Sequence, residues 1–432
     1  NSLRSADMNK DKAKSGVSGQ IHKFIRESSH PHFGQLTSFK SNPVWEQLRK
    51  VGSRLWFDTG NIDEAQQRWT REFSALTTNN TLLNKEIQTG RYDLLIAEAA
   101  DLLTSYPDMT NKQMILEIAF ILNAWHALRL VEKFDAYVSV EEHTDLANDV
   151  TLAVDYAKRF YEICPERFII KLPFTPAGLL ATRKLSAQGI PVNHTLGFSA
   201  RQNYLISRLA KPAYVNVFLG RLNSFIVDNK LGSGLYIGEK ATLASQKAVR
   251  QLRESGISQS LQIGASFRAG TQIRDLAGID VMTMPPKAAD EFLALNLPTD
   301  EIKDKTAADY EIGLNKDVKP EIVNLNTLWD VDDKLISCID ALEKENIDGF
   351  SSDDLIKFFE THKCGDILVH WSDKQIETSL KEGKIPKLEN WKDVLRDKSI
   401  GLDSLMNLAG LNSFATDQQA MDTKVRQVLD KA

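Results

Sequence analysis

Eight short β-rich runs alternate with helical patterns between residues 55 and 284, and this alternation narrows the fold more than any other property of the chain. The runs are Leu55–Thr59, Ala75–Asn79, Ala136–Glu141, Phe168–Leu172, Val192–Phe198, Tyr214–Leu219, Leu261–Phe267 and Asp280–Met284. Several are almost continuously apolar, as strands buried on both faces of a parallel sheet must be. The segments between them carry helix signals. Asn61 with Glu64, Thr175 before Pro176, and Ser199 with Gln202 are capping arrangements, while Gly189, Gly256 and Gly278 are stops. Eight strands alternating with helices favour a closed barrel over an open sheet. The expected fold is therefore α/β, a (β/α)8 TIM barrel with an additional N-terminal segment and a C-terminal helical extension.

Two stretches depart from a minimal repeat. Leu82 to Glu132 is long enough for two or three helices, and after about residue 300 the alternation gives way to helices with lysine-rich connections, ending in a closing helix over Phe414–Leu429. The expected division is a flexible tail over 1–20, a barrel with N-terminal helices over 21–300, and a helical extension packing on the barrel over 301–432. The first twenty residues are polar and are not read as a secretory signal. The most apolar run, Met114–Leu130, contains Glu117, Asn123, His126 and Arg129, so it reads as a buried helix rather than a membrane span. Lys plus Arg number 53 against 58 Asp plus Glu, which leaves no basic footprint for nucleic acid. Three scattered cysteines cannot form a disulfide framework and suit a reducing, cytoplasmic setting.

In a barrel of this kind the chemistry sits at the carboxyl ends of the strands. Those ends carry Asp58, Thr78 and Asn79, Glu141, Lys171, Asn193 and Thr195, Arg221, and Ser266 with Arg268. Lys171 stands alone between Phe168-Ile169-Ile170 and Leu172-Pro173-Phe174. An amine held in an apolar strand is a nucleophile toward carbonyls; the plainer alternative is a strand-end lysine paired with a carboxylate. Asp58 and Glu141 could supply the proton transfers of Schiff-base chemistry, or be a helix cap and a solvated charge. Arg221, Arg268 and Ser266 could hold a phosphate, or be ordinary loop residues. His194 alternates with Asn193 and Thr195 and should face the helices. The pairs His30/His32 and His362/Cys364 have no matching distant ligands, and the Lys344–Leu355 segment lacks the first acid and the closing glutamate of a calcium loop, so no metal is expected.

The segments LWFDTGN, LTTN, VSVE, IIKLPFTPAGLLATRKLSAQGIPVNHTLGFSARQ, FLGR and GASFRAGTQIRDLAG together resemble the transaldolase family in order and spacing, from about residue 55 to 286. The final SFATDQQAMDTKVRQVL is similar to the family's closing helix. The resemblance implies that Lys171 forms the Schiff base and Asp58 deprotonates the donor C4 hydroxyl. It implies that Glu141 and Thr195 hold the proton-shuttling water, and that Asn79 and Asn193 orient substrate. Arg221, Ser266 and Arg268 would bind phosphate, and no cofactor would be needed. Phe218 stands where transferases carry Phe and fructose-6-phosphate aldolases carry Tyr. Asn216 and Val217 replace the usual Ser-Pro, so Asn216 is expected to touch substrate, and Phe174 replaces a small residue near Lys171. The implied activity is transfer of a dihydroxyacetone unit between sugar phosphates in the pentose phosphate pathway. A fructose-6-phosphate aldolase-like activity, a modified-sugar transaldolase and a non-catalytic scaffold are the alternatives. The expected partners are small sugar phosphates, with a homodimer left open, and neither nucleic acid nor membrane.

Overall fold

The eight expected strands are present as β1 (Arg54–Asp58), β2 (Phe73–Thr77), β3 (Tyr137–Glu141), β4 (Phe168–Pro173), β5 (Val192–Thr195), β6 (Tyr214–Phe218), β7 (Leu261–Ala265) and β8 (Val281–Met284). In the computed structural model, which describes residues 16–34 and 38–431, they form a closed parallel barrel in sequential order, with β8 returning to β1. Boundaries differ from the sequence reading by a few residues. β2 begins two residues before the expected run, because Phe73 packs against Phe57 at 4.0 Å between ring centroids and lengthens the strand at its start.

Side chains from alternate strands fill the barrel interior in layers, as the geometry of eight tilted strands requires. Trp56 of β1 meets Tyr214 of β6 edge-on at 4.8 Å, although these strands are not neighbours. Nearer the carboxyl end, Asn193 of β5 donates to Ser139 Oγ of β3, and the hydroxyls of Thr77 of β2 and Thr283 of β8 share a hydrogen bond of 2.6 Å. The interior thus turns from apolar to polar along the strands.

The capping signals act where the sequence places them. Asn61 Oδ1 accepts from Glu64 N, Thr175 Oγ1 accepts from Gly178 N, and Ser199 Oγ accepts from Gln202 N. Leu82–Glu132 lies within three helices, Asn80–Gln88, Asp93–Leu103 and Asn111–Phe134. The last has the length and apolarity of a membrane span, yet 83% of its apolar window is buried inside the protein, so its hydrophobicity serves the core.

The N-terminal stretch corrects one expectation. Residues 1–15 lie outside the described residues, but 16–27 are helical, so the helix starts inside the segment read as a tail. Ile21 and Ile25 share one helical face and are fully buried, which anchors it. At the other end, the extension packs on the outer helices of the barrel. Leu335, Ile339, Leu342, Leu355 and Phe359 form an apolar cluster with Leu179, Leu205 and Leu209. The closing helix runs from Leu402 to Leu429, twelve residues longer at its start than expected. Arg201 pins that start, with Nε 2.7 Å from Asp403 and Nη1 2.8 Å from Asp366.

Candidate functional site

Strand register sets the centre of the site. Glu141 on β3 pairs with Lys171 on β4, and Lys171 pairs with Asn193 on β5, so these three lie side by side at the carboxyl end. Lys171 is only 4% exposed, and its Nζ donates to the carbonyl of Thr78 at 3.2 Å. Asp58 does not cap the following helix, a role taken by Asn61. Instead Asp58 Oδ1 accepts from Thr77 Oγ1 at 2.8 Å. Burial raises the Asp58 carboxyl above its ordinary value, opposed by the Lys171 charge and the Thr77 hydrogen bond. Burial raises Glu141 as well, against the Lys171 charge and a 3.1 Å hydrogen bond from Asn80 N. A buried amine is therefore flanked by two carboxyls that hold protons more readily than usual.

Asn193, Asn216 and Thr195 line the neighbouring wall. Asn216 Nδ2 donates to Asn193 Oδ1 at 2.9 Å and Asn193 Nδ2 donates to Ser139 Oγ at 3.1 Å, which locks the orientation of the Asn193 amide. Thr195 Oγ1 and Asn216 Oδ1 are buried with no protein partner, so their hydrogen-bonding capacity is available to a molecule in the site. Asn79 caps the helix Asn80–Gln88 through Oδ1, leaving its Nδ2 as the group free to meet a hydroxyl. His194 faces outward, where Nδ1 meets Thr182 Oγ1 at 3.0 Å, as its alternation requires.

Phe174 also faces outward. It packs with Leu179, Leu180 and Leu205 and meets His194 edge-on at 5.7 Å, so its bulk does not narrow the space around Lys171. Strand parity agrees, since Phe174 stands three residues from the inward Lys171 and so on the opposite face.

Arg221 and Arg268 converge after β6 and β7. Gly220 permits this approach, since a Cβ there would lie 2.7 Å from Arg268 Cγ. Ser266 holds φ +64°, a conformation that non-glycine residues rarely adopt, and turns the chain sharply just before Arg268. Arg221 is 9% exposed with Nη1 unpartnered, and burial together with the charge of Arg268 pushes it down to about 10. A buried guanidinium beside an exposed one suits an anion arriving from solvent.

The closing helix crosses this end of the barrel. Its Asn407 donates to Leu196 O and accepts from Gln202 Nε2 at 2.5 Å, Asp417 meets Thr81, and Asp422 meets His143 Nε2 at 2.9 Å. Phe414 reaches Arg221. The boundary expected at residue 300 therefore does not bound the site.

The sequence matches those of known proteins over more than half of its length. A model of the family described as transaldolase/fructose-6-phosphate aldolase covers residues 55–354. The chain belongs to that family. Relatives named transaldolase include those of Xanthomonas euvesicatoria pv. vesicatoria (28% identical, over 56% of this chain and 74% of the relative) and Schizosaccharomyces pombe (26%, over 62% and 83%). The transaldolase of Prochlorococcus marinus subsp. pastoris is 27% identical over 58% of this chain and 76% of the relative.

Within this family member, three site features escaped the sequence reading. Thr77 positions Asp58, Ser139 positions Asn193, and Phe414 packs on Arg221. The first two were detectable by strand parity, since Thr77 shares a face with Ala75 and Ser139 with Glu141. Phe414 carried no signal, because nothing local indicates which barrel strand a distant helix will cross.

Proposed function

We propose that this family member is a transaldolase that moves a dihydroxyacetone unit from a ketose phosphate to an aldose phosphate through a Schiff base on Lys171. The observation that carries the reading is the register Glu141–Lys171–Asn193, which sets a buried amine between an acid and an amide at the reactive end of the barrel. Lys171 Nζ attacks the ketose carbonyl carbon, and the carbonyl oxygen leaves as water after protonation. Glu141, with its raised proton affinity, and Thr195, with its free hydroxyl, support this step by holding the water that relays the proton.

Asp58 then takes the proton of the C4 hydroxyl. The C3–C4 bond breaks, the aldose leaves, and the bonding electrons pass into the iminium, which acts as the electron sink. Asn193, held by Asn216 and Ser139, orients the hydroxyls of the three-carbon fragment. The acceptor aldehyde adds to that fragment, Asp58 returns the proton, and water releases the product. Arg221, Arg268 and Ser266 bind the phosphate, and Phe218 supports transfer over free aldol release. Sedoheptulose 7-phosphate or fructose 6-phosphate is the donor, with glyceraldehyde 3-phosphate or erythrose 4-phosphate as acceptor. Three free, buried cysteines suit a cytoplasmic protein.

Borohydride reduction in the presence of fructose 6-phosphate tests the mechanism. A dihydroxyacetone-derived mass on Lys171 is expected; no adduct despite demonstrable substrate binding would reject it. A second reading, an aldolase or modified-sugar transaldolase, draws on Asn216, whose free Oδ1 meets substrate where a serine is usual. Release of free dihydroxyacetone without an acceptor would favour that reading.

A further inference from the structure

The strand β8 reads Val281-Met282-Thr283-Met284, with one polar side chain in an otherwise apolar run. A valine in the place of Thr283 would bury equally well, whereas a hydroxyl sealed inside a barrel needs a partner. That partner is Thr77 Oγ1 of β2, at 2.6 Å. The two residues come from the strands on either side of β1: Thr283 pairs with Trp56, and Thr77 pairs with Asp58. Both are buried, and they meet inside the barrel next to the Asp58 carboxyl.

The direction of these hydrogen bonds follows from proton counting. Asp58 acts as a base when ionised, and an ionised carboxylate only accepts, so Thr77 spends its one proton on Asp58 Oδ1, 2.8 Å away. Thr77 then has no proton left for Thr283, and the contact between the two hydroxyls runs from Thr283 to Thr77. The result is a chain from Thr283 through Thr77 to Asp58, in which each donor polarises the next.

The charged groups around Asp58 come from other elements. Lys171 on β4, Arg268 after β7 and Lys85 on the helix Asn80–Gln88 attract it, and Glu141 on β3 opposes it. Among the described residues only Thr77 hydrogen-bonds the Asp58 carboxylate through a side chain, so the hydroxyl chain fixes its orientation where the charges do not.

We propose that Thr283 is a positioning residue for the general base: by donating to Thr77 it commits the Thr77 proton to Asp58 Oδ1 and leaves Oδ2 for the substrate hydroxyl whose proton is removed as the C3–C4 bond breaks. The proposal rests on the base role given above to Asp58. Imine formation on Lys171 does not use Asp58, so loss of the Thr283 hydroxyl falls on bond cleavage and spares the first step.

The test compares wild type with Thr283→Val, which keeps the shape and removes the hydroxyl, and Thr283→Ser, which keeps the hydroxyl. Fructose 6-phosphate is trapped on Lys171 with borohydride after short contact times, the intact six-carbon adduct is compared with the three-carbon one, and kcat/KM is followed against pH. Thr283→Val should keep the total labelling of Lys171 while its early three-carbon share falls about fivefold, the factor expected for one net hydrogen bond. The acid limb of its profile should move to higher pH, because an Asp58 that receives a weaker hydrogen bond holds its proton more readily. Thr283→Ser should recover both. An unchanged share with an unchanged limb in Thr283→Val would overturn the proposal, and so would a parallel loss of both adducts, which is what a purely structural hydroxyl produces. Thr77→Val/Thr283→Val leaves neither hydroxyl unpartnered and is the variant to use if the single one does not fold. It should match Thr77→Val in every readout, and a further loss beyond Thr77→Val would overturn the proposal. No adduct of either size in wild type would instead reject the Schiff-base reading, so the two failures are distinguishable.

Discussion

The guanidinium of Arg221 lies 5.3 Å from the centre of the Phe414 ring, which joins the middle of the barrel to the last helix of the chain. Phe218 approaches the same guanidinium at 5.4 Å, so Arg221 packs against a pair of neighbouring aromatic rings and its planar group is aimed by packing as well as by charge. Cation–π contacts in desolvated settings contribute about 0.5–2 kcal/mol. The rings accept no hydrogen bond from Arg221 Nη1, which leaves that donor free for a ligand.

Phe414→Leu should therefore raise KM for phosphorylated donors several-fold, more than for the unphosphorylated ketose. Its stability cost should be about 1.5 kcal/mol, as for a volume-reducing apolar exchange. Steady-state kinetics on both sugars, with urea denaturation, measures the two effects separately. Equal KM changes on both sugars would show that the ring does not act through Arg221.

Lys171→Ala should abolish turnover and the borohydride-trapped adduct together. The lysine makes a single hydrogen bond, to Thr78 O, and the carboxyls beside it already favour the proton, so the melting temperature should move by no more than about 4 °C. A collapse of the fold would show that the amine is structural.

Asp403→Ala tests how firmly the closing helix is held. Asp403 is fully buried and accepts from Arg201 Nε at 2.7 Å, from Arg201 Nη2 at 2.8 Å and from Ser199 Oγ at 2.7 Å. Removing one partner of a buried ion pair costs about 3–5 kcal/mol. Because the same helix delivers Phe414, activity should fall with stability, and limited proteolysis should open the 400–429 region first. An active, proteolytically resistant variant would count against this coupling.

Glu142 predicts a pH-dependent gain. It is buried with Oε1 unpartnered and no cation to offset it, and burial raises its carboxyl well above the ordinary glutamate value. The folded protein then binds a proton that the unfolded chain releases, so this residue reduces stability progressively as pH rises above about 4.5. Glu142→Gln stays neutral throughout, and its advantage in melting temperature over wild type should be larger at pH 8 than at pH 5. A constant difference between the two pH values would mean that the carboxyl is ionised and paired.

Acid should act on His194 in the opposite sense. Burial lowers this histidine to about 3, so below the unfolded value near 6.5 the unfolded chain takes up a proton that the folded one refuses. Stability should decline as pH falls from about 6.5 toward 3, and His194→Gln should flatten that decline. An unaltered acid-unfolding profile would exclude His194 as a contributor.

Much of the site was legible because it lies on strands. Period-two alternation put Asn193 and Thr195 on one face and His194 on the other, and apolar neighbours singled out Lys171. Strand order made Glu141, Lys171 and Asn193 neighbours once the barrel closed. The same alternation, run three residues on from Lys171, puts Phe174 on the outer face, where it packs. The N-terminal helix was missed at its start because residues 16–20 hold a single large apolar residue, Val17, and its packing on the core together with Ile21 and Ile25 is what holds the turn helical.

Local chemistry alone therefore determined the eight strands, most of the helix caps and the residues carrying reactive groups, since these depend on periodicity and on contacts a few residues apart. Tertiary structure decided which distant parts complete the site. Phe414 over Arg221 and Asn407 on Leu196 O depend on the path of the extension across the barrel mouth. That path is set by long-range packing and by the buried Arg201–Asp403 pair, whose partners are far apart in the chain and meet only when the whole molecule is folded.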